Sequence, residues 1–409
     1  MHQLPAPIVE VQVPESFAPS QWEQLEACPL SVWSHSLGTL PESVEMLVGR
    51  ILHDVRAQFI ARGTERDAPS LSGLLADTAA EYEQRLRSDP ATACLTPIAD
   101  AFGRRKWFDA EARLRIWSAN LPNQHRRKRE EGQTEGAPFA THGATISFGV
   151  ERLWNAPALR LRGRPDEASI AADGAIEIVD YKSGRVIDRE GVHSSIATQL
   201  QLYALMAEHL TGRAVRLFVH GRGRIPIEWD ESNRARTAER VSLTSARYLP
   251  KAVQSAKDVS RPGAHCVGCR LRPQCPRYLQ EVPAWWPNTG QNPRPLPLDA
   301  WGWLRDCGRD RLGNVVHLED PAGRRVVISG IDARHRLETM RPHEQLYAFG
   351  LAAGEDQFMH GRALHPRAFH EHSPSARWAS SPCPMFFVRS HAAIGEDSEI
   401  VRRSVAIDD

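Results

Sequence analysis

The stretch that most constrains the fold is Ile176 to Gly184, IEIVDYKSG. Ile176 and Ile178 alternate with Glu177, and Val179 follows, so the segment reads as a strand with at least one face turned to a core. Asp180 and Lys182 stand two residues apart at its end, and period-two geometry sends both side chains to one face. A carboxylate there can hold a divalent cation. An ammonium beside it can position a water or screen charge building on a phosphate, so the pair suits metal-assisted phosphodiester cleavage. A single D-x-K triplet is common on solvated surfaces, and the reading depends on what the rest of the chain adds.

Upstream, Leu159 and Leu161 alternate and lead into Gly163-Arg164-Pro165-Asp166. A hairpin at Ala172-Asp173-Gly174-Ala175 would lay Asp166 beside Asp180. Ile146, Phe148 and Val150 form another strand pattern. Downstream, Ser195 to His209 reads as a helix with Gln199 and Tyr203 four apart on one face. Val215–Val219 and Ile225–Trp229 read as strands, and Arg234 to Val259 as a basic helix. Strand, helix and strand in alternation predict an α/β core with a mixed sheet.

Residues 1–19 read as an extended lead-in, and Ser20-Gln21-Trp22-Glu23 as a capping box opening a helix that carries Cys28. From Pro41 to Arg62 the apolar positions Val44, Leu47, Val48, Ile51, Leu52, Val55 and Phe59 keep helical spacing. His53 lies at the edge of that stripe, where an ordinary partly buried histidine is the default reading. Residues 70–140 read largely as a helical insertion or lid. The basic run Arg126, Arg127, Lys128 is followed by Glu130 and Glu131, a solvated loop by default and a phosphate track as the alternative.

Cys266-x2-Cys269-x5-Cys275 has the spacing of a metal or cluster site, because paired thiolates two apart can grip one centre. A four-coordinate site needs one more ligand, with Cys28, Cys94, Cys307 and Cys383 as candidates. An odd total of 7 cysteines fits a reducing compartment better than a disulfide framework. With 41% hydrophobic and 25% charged residues and a formal net charge of +1, the chain has the composition of an ordinary globular protein. No apolar run reaches membrane-span length and no signal-peptide pattern opens the chain, which predicts a cytoplasmic protein without a membrane partner.

Pro283, Pro287, Pro293, Pro295 and Pro297 mark 282–299 as a linker. Beyond it, 300–409 reads as a small β-rich domain, OB-like in outline, with a hairpin turning at Asp320-Pro321-Ala322-Gly323. Trp301 and Trp303 alternate there, as bases' stacking partners or as core.

Taken together, Gly49 with His53, Asp166 in GRPD, Asp180 and Lys182 in VDYKSG, Gln199 and Tyr203 in QLQLY, and the cysteine trio resemble the RecB-like branch of the PD-(D/E)XK nucleases. The similarity is greatest to the iron-sulfur type found in AddB and the CRISPR adaptation exonuclease. It covers roughly residues 16–280 and implies a restriction-endonuclease-like nuclease domain over 20–281. Cys28-Pro29 resembles the family's N-terminal cysteine, which implies Cys28 as fourth thiolate of a structural 4Fe-4S cluster, with Zn2+ as the competing occupant. The resemblance also implies that His53, Asp166, Asp180 and the Tyr181 carbonyl ligate Mg2+ or Mn2+. Lys182 would then position or deprotonate water, and Gln199 and Tyr203 would orient Lys182 or contact DNA. Pro165 stands where the family has an apolar strand residue, which suits a bend and weakens ladder pairing.

These features predict a metal-dependent DNA nuclease, an exonuclease on single strands or duplex ends, in DNA repair or anti-phage defence. The alternative is a non-catalytic iron-sulfur DNA-binding scaffold. RNA cleavage would use the same groups. No P-loop is present, so any unwinding requires a helicase or ATPase partner.

Overall fold

The computed structural model describes residues 2–62, 70–88, 92, 96–118, 139–141, 144–182, 184, 186–188, 191–221, 223–248, 252–282, 299–309, 314–320, 323, 325–331, 340–341, 344–353, 367–370 and 385–389. The chain divides into two compact units. One comprises Glu10–Trp33 and Val44–Ser255, the other Met1–Val9, Ser34–Ser43 and Ala256–Asp409.

The first unit is built on a five-stranded mixed sheet. Its order is Arg224–Ile227, Val215–His220, Ile176–Tyr181, Glu167–Ile170, Gly149–Val150. Ile176–Tyr181 is therefore the middle strand, antiparallel to Glu167–Ile170 and parallel to Val215–His220. The parallel pair requires a crossover, which the helix Ser194–Thr211 supplies. The antiparallel pair closes through the Ala171–Ala175 turn, where Gly174 takes φ 83° and its N–H donates to the Ala171 carbonyl.

Alternation along the middle strand sorts its two faces. Ile176 and Ile178 join the core that includes Leu200, Tyr203 and Ala204 of the crossover helix. Val179 and Tyr181 join a second core, made with Val48, Ile51 and Val55 of Val44–Arg62. That second core also takes Leu74 and Leu75 of Leu71–Arg87, Ile98 of Ile98–Phe102, and Leu114 and Trp117 of Arg104–Ser118. A strand buried on both faces needs apolar residues of both parities, which IEIVDY supplies until Asp180.

Three local readings change. The helix after Pro19 starts at Trp22 with Gln21 as N-cap and no side-chain cap, because Pro19–Gln21 already forms a 3-10 turn that absorbs Ser20. The pattern Ile146–Val150 is not one strand: Ala144–Ile146 lies in a four-stranded sheet with Phe139–Thr141, Trp154–Ala156 and Leu161–Gly163, and Gly149–Val150 in the core sheet. Gly149 opens the second of these strands at φ 123°, a backbone angle that favours glycine, just where the chain passes from one sheet to the other. The helix expected to reach Val259 runs Glu231–Tyr248 and stops short of Pro250. Val253–Ser255 then pairs with Glu10–Gln12.

The second unit carries an eight-stranded sheet whose middle members are Gln345–Phe349, Ala300–Arg309, Asn314–Glu319 and Arg325–Ile331. The hairpin closes where the Gly323 N–H donates to the Asp320 carbonyl at 3.0 Å, with Gly323 at φ 73°. The C-terminal region is thus β-rich, in one linear strand order among the described residues. Trp301 is buried, its ring 6.1 Å from Tyr278 and 6.5 Å from Tyr347, so it takes the core role. Trp303 is half-buried. The Pro-rich stretch lies outside the described residues except at its two ends.

Candidate active site

Strand register brings three acids to one level. Val150 pairs with Glu167, and Glu167 with Val179, so the next residue of each strand aligns Glu151, Asp166 and Asp180 across three neighbours. Hydrogen bonds hold that alignment. The Glu151 N–H donates to the Asp166 carbonyl at 3.2 Å, and the Tyr181 N–H donates to Asp166 Oδ2 at 2.6 Å. The segment Gly163–Asp166 thus orients its carboxylate through the backbone of the middle strand.

His53, from the long helix Val44–Arg62, completes the group. Its Nδ1 lies 3.6 Å from Glu151 Oε1 and 3.7 Å from Asp166 Oδ1. Among the described residues, one ligand atom each from His53, Glu151 and Asp166 fall within 4.8 Å of one another, a spacing suited to a single cation. Glu151 escaped sequence reasoning. Its signal was its place, one residue past the strand that pairs with the GRPD strand. It adopts φ 53°, a left-handed conformation that costs a non-glycine residue free energy and is concentrated at functional positions.

Asp180 and Lys182 share a face as their spacing requires. Lys182 Nζ donates to Asp180 Oδ1 at 3.0 Å and to Gln199 Oε1 at 3.3 Å, while Gln199 Nε2 donates to Asp180 Oδ1 at 3.0 Å. Gln199 therefore bridges the pair through both ends of its amide. Asp180 Oδ2 is buried and makes no hydrogen bond, although the ammonium lies 3.0 Å away. The ammonium offsets part of the cost of burying that oxygen, and a metal ion ligated there would offset more. The three-residue group of His53, Glu151 and Asp166, one imidazole and two carboxylates, suits a divalent cation, and Asp180 stands on the next strand beside Asp166.

Burial grades across the site. Asp180 is 2% exposed and Asp166 8%, whereas the side chains of Lys182, His53 and Glu151 are 29%, 27% and 35% exposed. Desolvation pushes the Asp180 carboxyl up to about 6 against the pull of the Lys182 ammonium. Burial alone would lower the Lys182 ammonium, but Asp180 and Asp166 outweigh it and the net shift is upward. The His53 imidazole likewise is lowered by burial and raised by Glu151 and Asp166, with a net rise. Near neutral pH the carboxylate and ammonium are both charged.

Tyr203 sits one turn beyond Gln199, 2% exposed, its ring edge-on to Trp154 at 5.9 Å. Burial, then Asp166, Asp180 and Glu151, hold its phenol well above the usual range, so the hydroxyl stays protonated. A Cβ at Gly163 would fall 2.7 Å from Tyr203 Oη, so the GRPD glycine is what lets the ring approach this turn.

The cysteines form a second feature. Cys266 and Cys269 belong to a 3-10 turn and its cap, and Cys275 caps the next one. The Gly263 N–H donates to Cys266 Sγ at 3.4 Å. The buried Arg272 guanidinium donates to the Cys266 carbonyl at 2.8 Å and the Cys269 carbonyl at 3.0 Å. An N–H donor and a buried cation are compatible with anionic sulfur ligands. Arg272 is fixed in turn by Asp299, fully buried, which also accepts from Tyr278 Oη at 2.8 Å and the Gly350 N–H at 2.9 Å. Cys28 is buried at the end of Trp22–Ala27. Cys94, Cys383 and the basic run Arg126, Arg127, Lys128 lie outside the described residues.

Among the described residues, no helix is long and apolar enough to cross a membrane. A search of curated proteins finds no match to this chain. The sequence pattern of the PD-(D/E)XK nuclease superfamily matches residues 16–276, the stretch that contains every residue of the aligned acid, histidine and lysine group. The group His53, Glu151 and Asp166 could hold a metal ion, and the chain belongs to the PD-(D/E)XK nuclease superfamily, a family of metal-dependent nucleases.

Proposed function

We propose that this chain is a Mg2+- or Mn2+-dependent deoxyribonuclease of the RecB-like branch, acting as an exonuclease on single-stranded DNA or duplex ends. The observation that carries the reading is the convergence of His53, from the middle of one helix, with Glu151, Asp166, Asp180 and Lys182 at the ends of three paired strands. Asp166, Asp180, His53 and the missed Glu151 supply the ligand atoms, with the Tyr181 carbonyl as a further one. Bound there, the ion would polarise the scissile phosphate and acidify the attacking water. Lys182, held by Asp180 and Gln199, donates hydrogen bonds to that water and to the phosphate oxygens as they gain charge. Gln199 keeps both groups in register, and Tyr203 supports the Gly163–Asp166 turn.

By the same reading Cys266, Cys269 and Cys275 hold a 4Fe-4S cluster, with Cys28 as the ligand indicated by the sequence and Zn2+ as the rival. The β-rich unit serves as a docking or strand-binding element, OB-like in kind. The protein works in the cytoplasm with a helicase or ATPase in DNA repair or anti-phage defence.

The test is direct. Purified protein with Mn2+ is given linear and circular single-stranded DNA and matched RNA, beside Asp180→Ala. Cleavage of linear DNA alone, lost in the variant, is the expected result. Intact linear and circular DNA with the wild-type chain rejects the reading. Visible absorbance and iron content after anaerobic purification, compared between wild type, Cys28→Ser and Cys266→Ser, separate the cluster from zinc.

A further inference from the structure

A cluster of side chains lies immediately behind the ligand group, and the reaction chemistry does not use it. Arg56 stands three residues after His53 on the same helix and is 1% exposed. Its Nη2 donates to Glu167 Oε2 at 2.6 Å, and Glu167 is the residue next to Asp166. The guanidinium also sits over the Tyr181 ring, its Cζ 3.6 Å from the centroid, and the Tyr181 hydroxyl donates to the same Glu167 oxygen at 2.9 Å. Tyr181 follows Asp180, and its N–H holds Asp166 Oδ2. His220 stacks on the Tyr181 ring with centroids 5.4 Å apart, and Trp117 meets that ring edge-on at 5.7 Å.

Each of the three members is therefore one to three residues from a member of the ligand group. Arg56 is tied to His53, Glu167 to Asp166, and Tyr181 to Asp180. The network joins the helix to two strands at the level where their functional side chains must meet.

Stability alone does not account for it. A buried ion pair roughly breaks even against apolar residues of the same volume. Here the Arg56 Nε is also buried without a hydrogen-bond partner, which adds a desolvation cost. A costly, geometrically specific clamp next to a ligand set is the arrangement that fixes ligand positions.

We propose that Arg56, Glu167 and Tyr181 form a positioning clamp that holds His53 at ligating distance from Asp166 and Glu151. Arg56 is the keystone because it alone spans helix and sheet. The clamp acts through its three side chains, which orient the ligands and supply no ligand atom themselves. This inference rests on the nuclease reading of the same site, and its test is chosen so that the two can fail separately.

The experiment measures Mn2+ affinity by electron paramagnetic resonance on the full chain, independently of cleavage, together with the thermal midpoint. Variants are Arg56→Met, Glu167→Gln, the double variant, Arg56→Lys and Tyr181→Phe. The expected result is a loss of Mn2+ affinity of about 10–100-fold in either of the first two, as for other groups that orient metal ligands. The double variant is no worse than the worse single one, since both break one clamp. Arg56→Lys recovers part of the loss by keeping the charge without the planar guanidinium.

Folded variants with wild-type Mn2+ affinity, or single losses that simply add, overturn the clamp even if the thermal midpoint falls. Should Arg56→Met not fold, Tyr181→Phe carries the same test, because it removes one hydroxyl and leaves the ring in place. Wild-type protein that neither binds Mn2+ nor cleaves DNA rejects the nuclease reading as well. Wild-type protein that does both, beside unaffected variants, rejects the clamp alone.

Discussion

Replacing Asp180 by Asn should make the metal-free protein more stable and the metal-loaded protein relatively less so. The wild-type carboxyl is raised to about 6 by burial, compared with 3.8 for the unperturbed group. The folded state therefore binds the proton more tightly than the unfolded state does. Stability from this group is present at low pH and declines as pH rises from the unfolded value through the folded one. Relative to a group that stays protonated, this carboxyl costs the fold about 3 kcal/mol at pH 7.5, where it is ionised, and about 1 kcal/mol at pH 4.5, where the folded state keeps the proton. A neutral isostere removes that cost while leaving Lys182 and Gln199 in place.

Urea unfolding in EDTA should thus show Asp180→Asn exceeding wild type by about 3 kcal/mol at pH 7.5 and about 1 kcal/mol at pH 4.5. Carboxylates far from Asp180 cancel in the difference, while Asp166, His53 and Lys182, which interact with it, do not. Saturating Mn2+ should then narrow or invert the gap, because wild type gains about 2.7 kcal/mol at a hundredfold excess over the dissociation constant and the variant, short of a ligand, gains less. A variant less stable than wild type in EDTA at pH 7.5 would refute the reasoning. It would mean that the Lys182 and Gln199 contacts outweigh the burial of the charge.

Other outcomes follow from the same geometry. Lys182→Ala should lower the cleavage rate by about a hundredfold or more while DNA binding in Ca2+ persists, since it removes a donor aimed at developing charge. Gly163→Ala should destabilise the chain by about 1–3 kcal/mol in urea unfolding, because its new Cβ meets Tyr203 Oη at 2.7 Å and Pro19 Cδ at 2.8 Å. Trp301→Ala should cost about 3–5 kcal/mol in unfolding and leave nuclease activity little changed, as expected of a core aromatic rather than a base-stacking one. Loss of single-stranded DNA affinity without loss of stability would reverse that assignment.

The sequence by itself determined the parts whose physics is local. Period-two alternation made Ile176–Tyr181 a strand and put Asp180 and Lys182 on one face, and the Asp173-Gly174 turn chemistry placed Asp166 beside them. Helical spacing joined Gln199 to Tyr203 and located His53 on an amphipathic helix. What the sequence did not carry was pairing between distant segments. Glu151 entered the site because the short strand Gly149–Val150 joins the far edge of Glu167–Ile170, a register no local pattern encodes. Arg56 and Glu167 are separated by 111 residues, and only packing of the helix on the sheet turns them into an ion pair. The strand read through Ile146 to Val150 broke for a related reason: Gly149 let one apolar pattern serve two sheets. Local preferences select elements, but the buried charges and the register that complete this site are set by which surfaces those elements hide from water together.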